Sequence, residues 1–300
     1  MHAQIKQSKQ HKSVMVYIFV LLLTAVALFG GWSSANVLAE ADAPQVIGGQ
    51  ESQPGVWPWM AALVYAPMSN AYYGQFCGAT LVAPEWVLTA AHCTHNLAPN
   101  QIDVVLGRHN LTTDEGERIA VREIITHPDY DEDTLDSDLA LLHLVRPSVQ
   151  QPIHVATPEM VQNIIYPGSM ATVTGWGNTN IANPVYPETL QEAQLPVVEH
   201  DFCNGPQVYN GVVTLNMLCA GYDQGGEDSC KGDSGGPLMI PQDDGTSWVQ
   251  IGIVSWGEGC AQAYRYGVYT QLANFTTWLD SYILAPPVTP QVWLPFVTGS

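Results

Sequence analysis

Three short segments of the 300-residue chain could supply a nucleophile, a base and an acid for one reaction. They are Leu88-Thr89-Ala90-Ala91-His92-Cys93, Asp136-Ser137-Asp138-Leu139-Ala140-Leu141-Leu142 and Gly232-Asp233-Ser234-Gly235-Gly236-Pro237. Singly, each has a commonplace structural reading: a satisfied histidine beside a cysteine, an aspartate capping a turn, a glycine-rich bend around a serine. Together, in the order His, Asp, Ser, they hold the groups of a convergent catalytic triad. A serine hydroxyl is a weak nucleophile until an imidazole takes its proton during attack, which assigns the base to His92. A buried Asp138 would hold the right tautomer and stabilise the imidazolium that forms. The glycines around Ser234 let the backbone turn tightly enough to aim the N–H groups of Gly232 and Ser234 at a developing oxyanion. This chemistry needs no metal and no cofactor, and none is expected.

Short strands are what the rest of the chain offers to position these groups. Twenty-six Gly and 21 Pro, few long apolar stretches of helical period and 46% apolar residues favour an all-β chain with a sizeable core. Strand-like runs are expected at Trp59 to Tyr65, Gly78 to Val82, Trp86 to Thr89, Ile102 to Leu106 and Ile119 to Ile125. Further ones are expected at Leu139 to Leu144, Met170 to Thr174, Gly236 to Ile240, Val249 to Ser255 and Gly267 to Gln271. Their spacing fits a sandwich or barrel. Pro-rich polar sequence from Pro147 to Pro167 reads as the connection between two halves. Phe275 to Leu284 has the apolar spacing of a short amphipathic helix, and residues 285–300 read as an irregular tail with four prolines.

The first twelve residues carry three lysines and no acid, and Val14 to Phe29 is almost wholly apolar before small residues follow. Residues 1–39 therefore read as a signal peptide, with an uncleaved membrane anchor as the alternative. Either reading exports the chain, and a secreted protein is expected. All six cysteines, Cys77, Cys93, Cys203, Cys219, Cys230 and Cys260, lie beyond this leader, which suggests three disulfides whose pairing spacing alone leaves open. A zinc site is the rival reading, but no C-x-x-C or H-E-x-x-H spacing occurs. The formal net charge of −19 excludes the cationic surface that nucleic acid requires.

Beyond the three segments, the chain holds Val46-Ile47-Gly48-Gly49, Trp57-Pro58-Trp59, Thr174-Gly175-Trp176-Gly177-Asn178-Thr179, Met217-Leu218-Cys219-Ala220-Gly221-Tyr222, Ser255-Trp256-Gly257 and Gly267-Val268-Tyr269-Thr270. In this order, over Val46 to Leu284, the series resembles the chymotrypsin-like (trypsin-type) serine protease family. The resemblance implies two antiparallel six-stranded barrels, about residues 46–155 and 166–284, with a short C-terminal helix and the site in the cleft between them. It implies an acyl-enzyme mechanism on His92, Asp138 and Ser234, and pairings Cys77 with Cys93, Cys203 with Cys219 and Cys230 with Cys260. Ser52 and Glu192 stand where some members carry a further bridge, so both partners of that bridge are missing together.

By the same resemblance Asp228 lies at the floor of the primary specificity pocket, with Ser229 beside it and Gly257 and Gly267 as walls. A buried carboxylate there calls for a cationic partner, so cleavage after Arg or Lys is expected. Ser255, Trp256 and Gly257 would pair with the substrate backbone as an added strand, with Trp256 and Leu135 lining neighbouring subsites. Val46, freed by removal of a short propeptide at 40–45, would place its ammonium on Asp233. Two departures bear on this: the propeptide ends in Gln45 rather than a basic residue, and Arg108 and Arg118 replace the glutamates of the family's calcium loop. The implied partners are protein or peptide substrates and proteinaceous inhibitors, and a monomer is expected. The rival class is a non-catalytic binding protein on the same fold, from which an intact triad distinguishes this chain.

Overall fold

The computed structural model describes residues 47–242 and 247–284. The leader, the propeptide with Val46, and the Pro-rich tail lie outside them. A two-residue strand β1 (Gln50–Glu51) precedes six strands that close into a barrel: β2 (Met60–Tyr65), β3 (Gln75–Ala83), β4 (Trp86–Thr89), β5 (Ile102–Leu106), β6 (Glu117–Thr126) and β7 (Ala140–Leu144). All its neighbours are antiparallel, in the order β2-β3-β4-β7-β6-β5. After β8 (His154–Val155) come β9 (Met170–Gly175), β10 (Gln191–Val198), β11 (Met217–Ala220), β12 (Pro237–Pro241), β13 (Trp248–Trp256) and β14 (Gly267–Gln271). These close antiparallel as β9-β10-β11-β14-β13-β12, with β1 added to β10 and β8 to β13.

The expected strands are present, some longer at their ends, and β10 and β11 add two that the apolar runs did not mark. β10 is half-buried by strict alternation: Ala193, Leu195 and Val197 point inward while Glu192, Gln194 and Pro196 do not. The stretch from Pro147 to Pro167 is not a plain connection, because it contains β8 and a helix at Pro158–Ile164. That helix starts where the Thr157 hydroxyl accepts the Met160 N–H at 3.3 Å, with Pro158 in the first turn. The last helix opens with a 3₁₀ turn, Leu272–Phe275, and continues as α-helix over Thr276–Ile283. Its Leu279 is buried and its Trp278, Tyr282 and Ile283 pack on the first barrel's core, so the C-terminal segment of the second barrel straps the two together.

Three disulfides, Cys77–Cys93, Cys203–Cys219 and Cys230–Cys260, leave no free thiol among the described residues. Glu192 takes the place of a covalent tie between the N-terminal segment and β10: it accepts hydrogen bonds from Trp57 Nε1 at 2.8 Å and Gln50 Nε2 at 3.0 Å.

Candidate active site

His92 sits in a 3₁₀ turn, Ala91–Cys93, that ends β4, and the Cys77–Cys93 bond ties this turn to β3. Its Nδ1–H donates to Asp138 Oδ2 at 2.7 Å, and its backbone N–H donates to Asp138 Oδ1 at 2.9 Å. With the proton on Nδ1, the Nε2 lone pair is free for a substrate proton. Asp138 is fully buried. It is gripped from the second barrel as well: Ser255 Oγ donates to Oδ2 at 2.5 Å and Thr270 Oγ1 donates to the Asp138 carbonyl at 2.8 Å. Both carboxylate oxygens are thereby hydrogen-bonded despite their burial.

Ser234 stands on the loop between Cys230 and β12. The loop reverses through Gly232 (φ 102°) and Gly235 (φ 81°), and a Cβ at Gly235 would come within 2.2 Å of Thr89 Oγ1. Such close approach and positive φ require glycine at 235. β3 meets the loop directly, because Gly78 N–H donates to the Ser234 carbonyl at 2.8 Å. Cys93 Sγ lies 3.6 Å from that carbonyl and 3.7 Å from His92 Nε2, which brings the histidine turn and the serine loop together. Ser234 Oγ has no hydrogen-bond partner among the described residues.

The neighbouring loop amides are used: Asp233 N–H donates to Cys230 O, Gly235 N–H to Val254 O and Gly236 N–H to Asp233 O. The N–H groups of Gly232 and Ser234 have no acceptor among the described residues. Gln75 Nε2 holds the Gly232 carbonyl at 2.8 Å, fixing the peptide plane beside them. Nothing in the sequence singles out Gln75 or Thr270, since each contributes through a contact made only when the barrels meet.

Beside Ser234 opens a cavity of about 250 Å³, lined by Asp228, Ser229, Trp256, Gly257 and Gly267 among others. Asp228 is buried; Oδ2 accepts the Ala261 N–H at 2.9 Å, and Oδ1 has no partner among the described residues. Burial pushes this carboxyl up to about 7, opposed by the backbone donors. Ser229 Oγ lies 3.2 Å from the Tyr269 hydroxyl. Ser255 is buried, and Leu135 and Trp256 line an adjoining groove of about 540 Å³ with Thr134, Val212 and Thr214.

Asp233 is fully buried. Its Oδ1 accepts the Gly177 N–H at 2.8 Å and its Oδ2 the Cys230 N–H at 2.9 Å, while burial pushes it up to about 6. A Cβ at Gly175 or Gly177 would lie 2.0 Å or 2.4 Å from this carboxyl group, so the Gly-Trp-Gly segment is required for its packing. Arg108 Nε donates to the Glu115 carbonyl at 2.6 Å, and Arg118 pairs with Asp103 at 2.7 Å. The Arg118 guanidinium also donates to the carbonyls of Tyr65, Ala66, Met68 and Ser69.

Residues 46–279 match the family model described as Trypsin. The chain is 38% identical over 246 residues to anionic trypsin of Canis lupus familiaris, a match that covers 81% of this chain and 92% of the relative. It is 38% identical over 251 residues to a tryptase of Mus musculus, covering 79% and 88%. Coagulation factor XII of Sus scrofa is 40% identical over 255 residues, or 79% of this chain, but the match spans only 39% of that longer protein. Two closed six-stranded barrels, a histidine–aspartate pair and a serine loop meeting between them, and a family match along most of the chain agree on one assignment: this chain belongs to the trypsin family of serine proteases.

Proposed function

We propose that the protein is an exported endopeptidase that hydrolyses peptide bonds after Arg or Lys. The observation that carries this is Asp228, a buried carboxyl with one oxygen unpartnered among the described residues, which lines a cavity that also borders Ser234. A guanidinium or ammonium entering the cavity supplies the missing partner through a charge-assisted bond. A neutral side chain leaves the carboxyl unpaired, and that difference is the source of selectivity.

In the proposed reaction His92 Nε2 takes the Ser234 hydroxyl proton as Oγ bonds to the scissile carbonyl carbon. The resulting oxyanion accepts the unused N–H groups of Gly232 and Ser234. The imidazolium, steadied by Asp138, passes its proton to the leaving amine as the C–N bond breaks, leaving an ester on Ser234. Water repeats the sequence: His92 takes its proton, hydroxide adds to the ester, and Ser234 leaves with the proton returned. Ser255 to Gly257 would align the substrate backbone. Val46, once freed, would place its ammonium on Asp233, neutralising a buried carboxyl that has only two N–H donors among the described residues. A positional-scanning peptide library on the processed protein tests the reading: cuts after Arg and Lys support it, and cuts dominated by aromatic or small residues refute it.

A further inference from the structure

Asp136 belongs to the acidic run Asp129, Asp131, Glu132, Asp133 and Asp136, whose charge alone reads as a solvated face and which the family resemblance places at the rim of the cleft. Asp131, Glu132 and Asp133 are exposed, but Asp136 is turned inward across the interface between the barrels. Its carboxylate accepts the Thr214 hydroxyl and the Asn216 Nδ2, the latter at 3.0 Å on Oδ2, and the Ser137 hydroxyl at 3.2 Å. Thr214 and Asn216 belong to the second barrel: Gln271 N–H donates to the Asn216 carbonyl at 2.8 Å, and Asn274 Nδ2 donates to the Leu215 carbonyl at 2.8 Å.

The residues on either side of Asp136 are held in an unfavourable backbone region. Leu135 has φ 55° and Ser137 φ 53°, left-handed values that side chains beyond glycine rarely adopt and that persist only when the surroundings enforce them. The Asp136 side chain is the tie that joins this turn to the opposite barrel. Asp138, two residues on, is held independently by His92, Ser255 and Thr270. Leu135 has no such hydrogen-bonded anchor among the described residues, and it lines the 540 Å³ groove together with Val212 and Thr214 of the second barrel. The clasp therefore bears on the groove more than on the acid–base pair.

We infer that Asp136 is a positioning residue: it fixes the separation of the two groove walls and so sets how the substrate residues upstream of the cleaved bond are bound. This rests on the proposed peptidase function, with those upstream residues lying in the groove beside Leu135 and Trp256. It separates recognition of a long substrate from the chemistry at Ser234, because only the former uses the wall that Asp136 holds.

The test compares the processed wild-type protein with Asp136→Ala, Asn216→Ala and the double variant, on an N-blocked single-arginine anilide and a tetrapeptide anilide ending in arginine. The expected result is a rise in KM of about tenfold or more for the tetrapeptide in each variant. Its kcat should stay within about twofold, and the single-arginine substrate should be unaffected within the same margin. The double variant should be no worse than Asp136→Ala alone, since that substitution already removes the Asn216 bond. Asp136→Asn, which keeps an acceptor for Asn216, should restore most of the tetrapeptide binding. Equal losses on both substrates, a fall in kcat alone, or additive effects would overturn the inference. Hydrogen exchange of the Asp136→Ala protein gives a readout independent of activity: amides of 131–137 and 211–216 should exchange faster, with β2 to β6 unchanged. Unaltered exchange there would overturn the clasp even if the wild type cleaved neither substrate, an outcome that by itself refutes only the Arg/Lys reading.

Discussion

Gly267 and Asp228 meet in the lining of the cavity beside Ser234: a Cβ on Gly267 would sit 3.1 Å from Asp228 Oδ1 and 2.9 Å from the Tyr269 hydroxyl. The glycine is what lets that oxygen and the Tyr269 hydroxyl pack this close to the cavity wall. Asp228→Ser should therefore remove the partner of a substrate cation while preserving the cavity. kcat/KM for an arginine substrate should fall by ~10³-fold or more, as expected when a buried charged group loses its only partner. Steady-state kinetics with arginine and leucine anilides checks this, and a loss of equal size on both would point to a damaged fold instead.

The same carboxyl makes a pH prediction. Burial raises Asp228 to about 7 in the ligand-free protein, whereas a bound cation requires it ionised. Below about pH 7 a cationic ligand must displace a proton before it can pair. The inhibition constant of benzamidine should therefore be flat above pH 8 and rise about tenfold per unit once pH falls well below 7. Isothermal titration across pH 5 to 9 reads this directly, and constant affinity over that range would contradict it.

Arg108, on the loop between β5 and β6, and Arg118, at the start of β6, place cations where a divalent ion would need oxygen ligands free of positive charge. Millimolar calcium should leave the thermal midpoint unchanged. Arg118→Ala should destabilise the protein by about 2–3 kcal/mol, because four carbonyls and Asp103 lose a charged donor. A clear calcium-dependent rise in midpoint, abolished by replacing Asp114, Glu115 and Glu117, would count against this.

Activation supplies a fourth prediction. The bond that frees Val46 follows Gln45, so an enzyme selective for Arg or Lys should not process itself efficiently. Burial holds the Asp233 carboxyl at about 6, and a Val46 ammonium would favour its ionised form and lower that value. The processed protein should then be more stable than its precursor at pH 7 to 8. That gain should fade as pH drops through about 6 and below, where the carboxyl takes up its proton in both forms. Melting curves of the two forms across this range, with N-terminal sequencing of the active one, decide the matter. Full activity from a chain beginning at Glu40 would overturn the ammonium's role.

Much of the architecture was legible because barrel strands announce themselves as apolar runs between glycine and proline turns: β4, β5 and β14 fall where those runs do. β10 was missed because its outward positions are Glu192, Gln194 and Pro196, which dilute the run while preserving the alternation. The helix at Pro158–Ile164 was hidden in a stretch read by its prolines, one of which opens the helix. The candidate triad could be picked out by residue type and order, whereas Asp228 and the other candidate pocket residues came only with the family resemblance. What supports them could not: Gln75 lies 157 positions from Gly232, and Thr270 is 132 from Asp138. Asp136 illustrates the limit most clearly, since its acidic run reads as a solvated face and only the docking of the barrels turns it toward Thr214 and Asn216.

One labelling experiment bears on Ser234 and Asp228 together. The processed protein is treated with diisopropyl fluorophosphate, with and without saturating benzamidine, and its peptides are mapped by mass spectrometry. A single adduct on Ser234, formed far more slowly when benzamidine fills the cavity over Asp228, is the predicted result. Labelling at another residue, or labelling of Ser234 at the same rate with benzamidine present, would contradict the account.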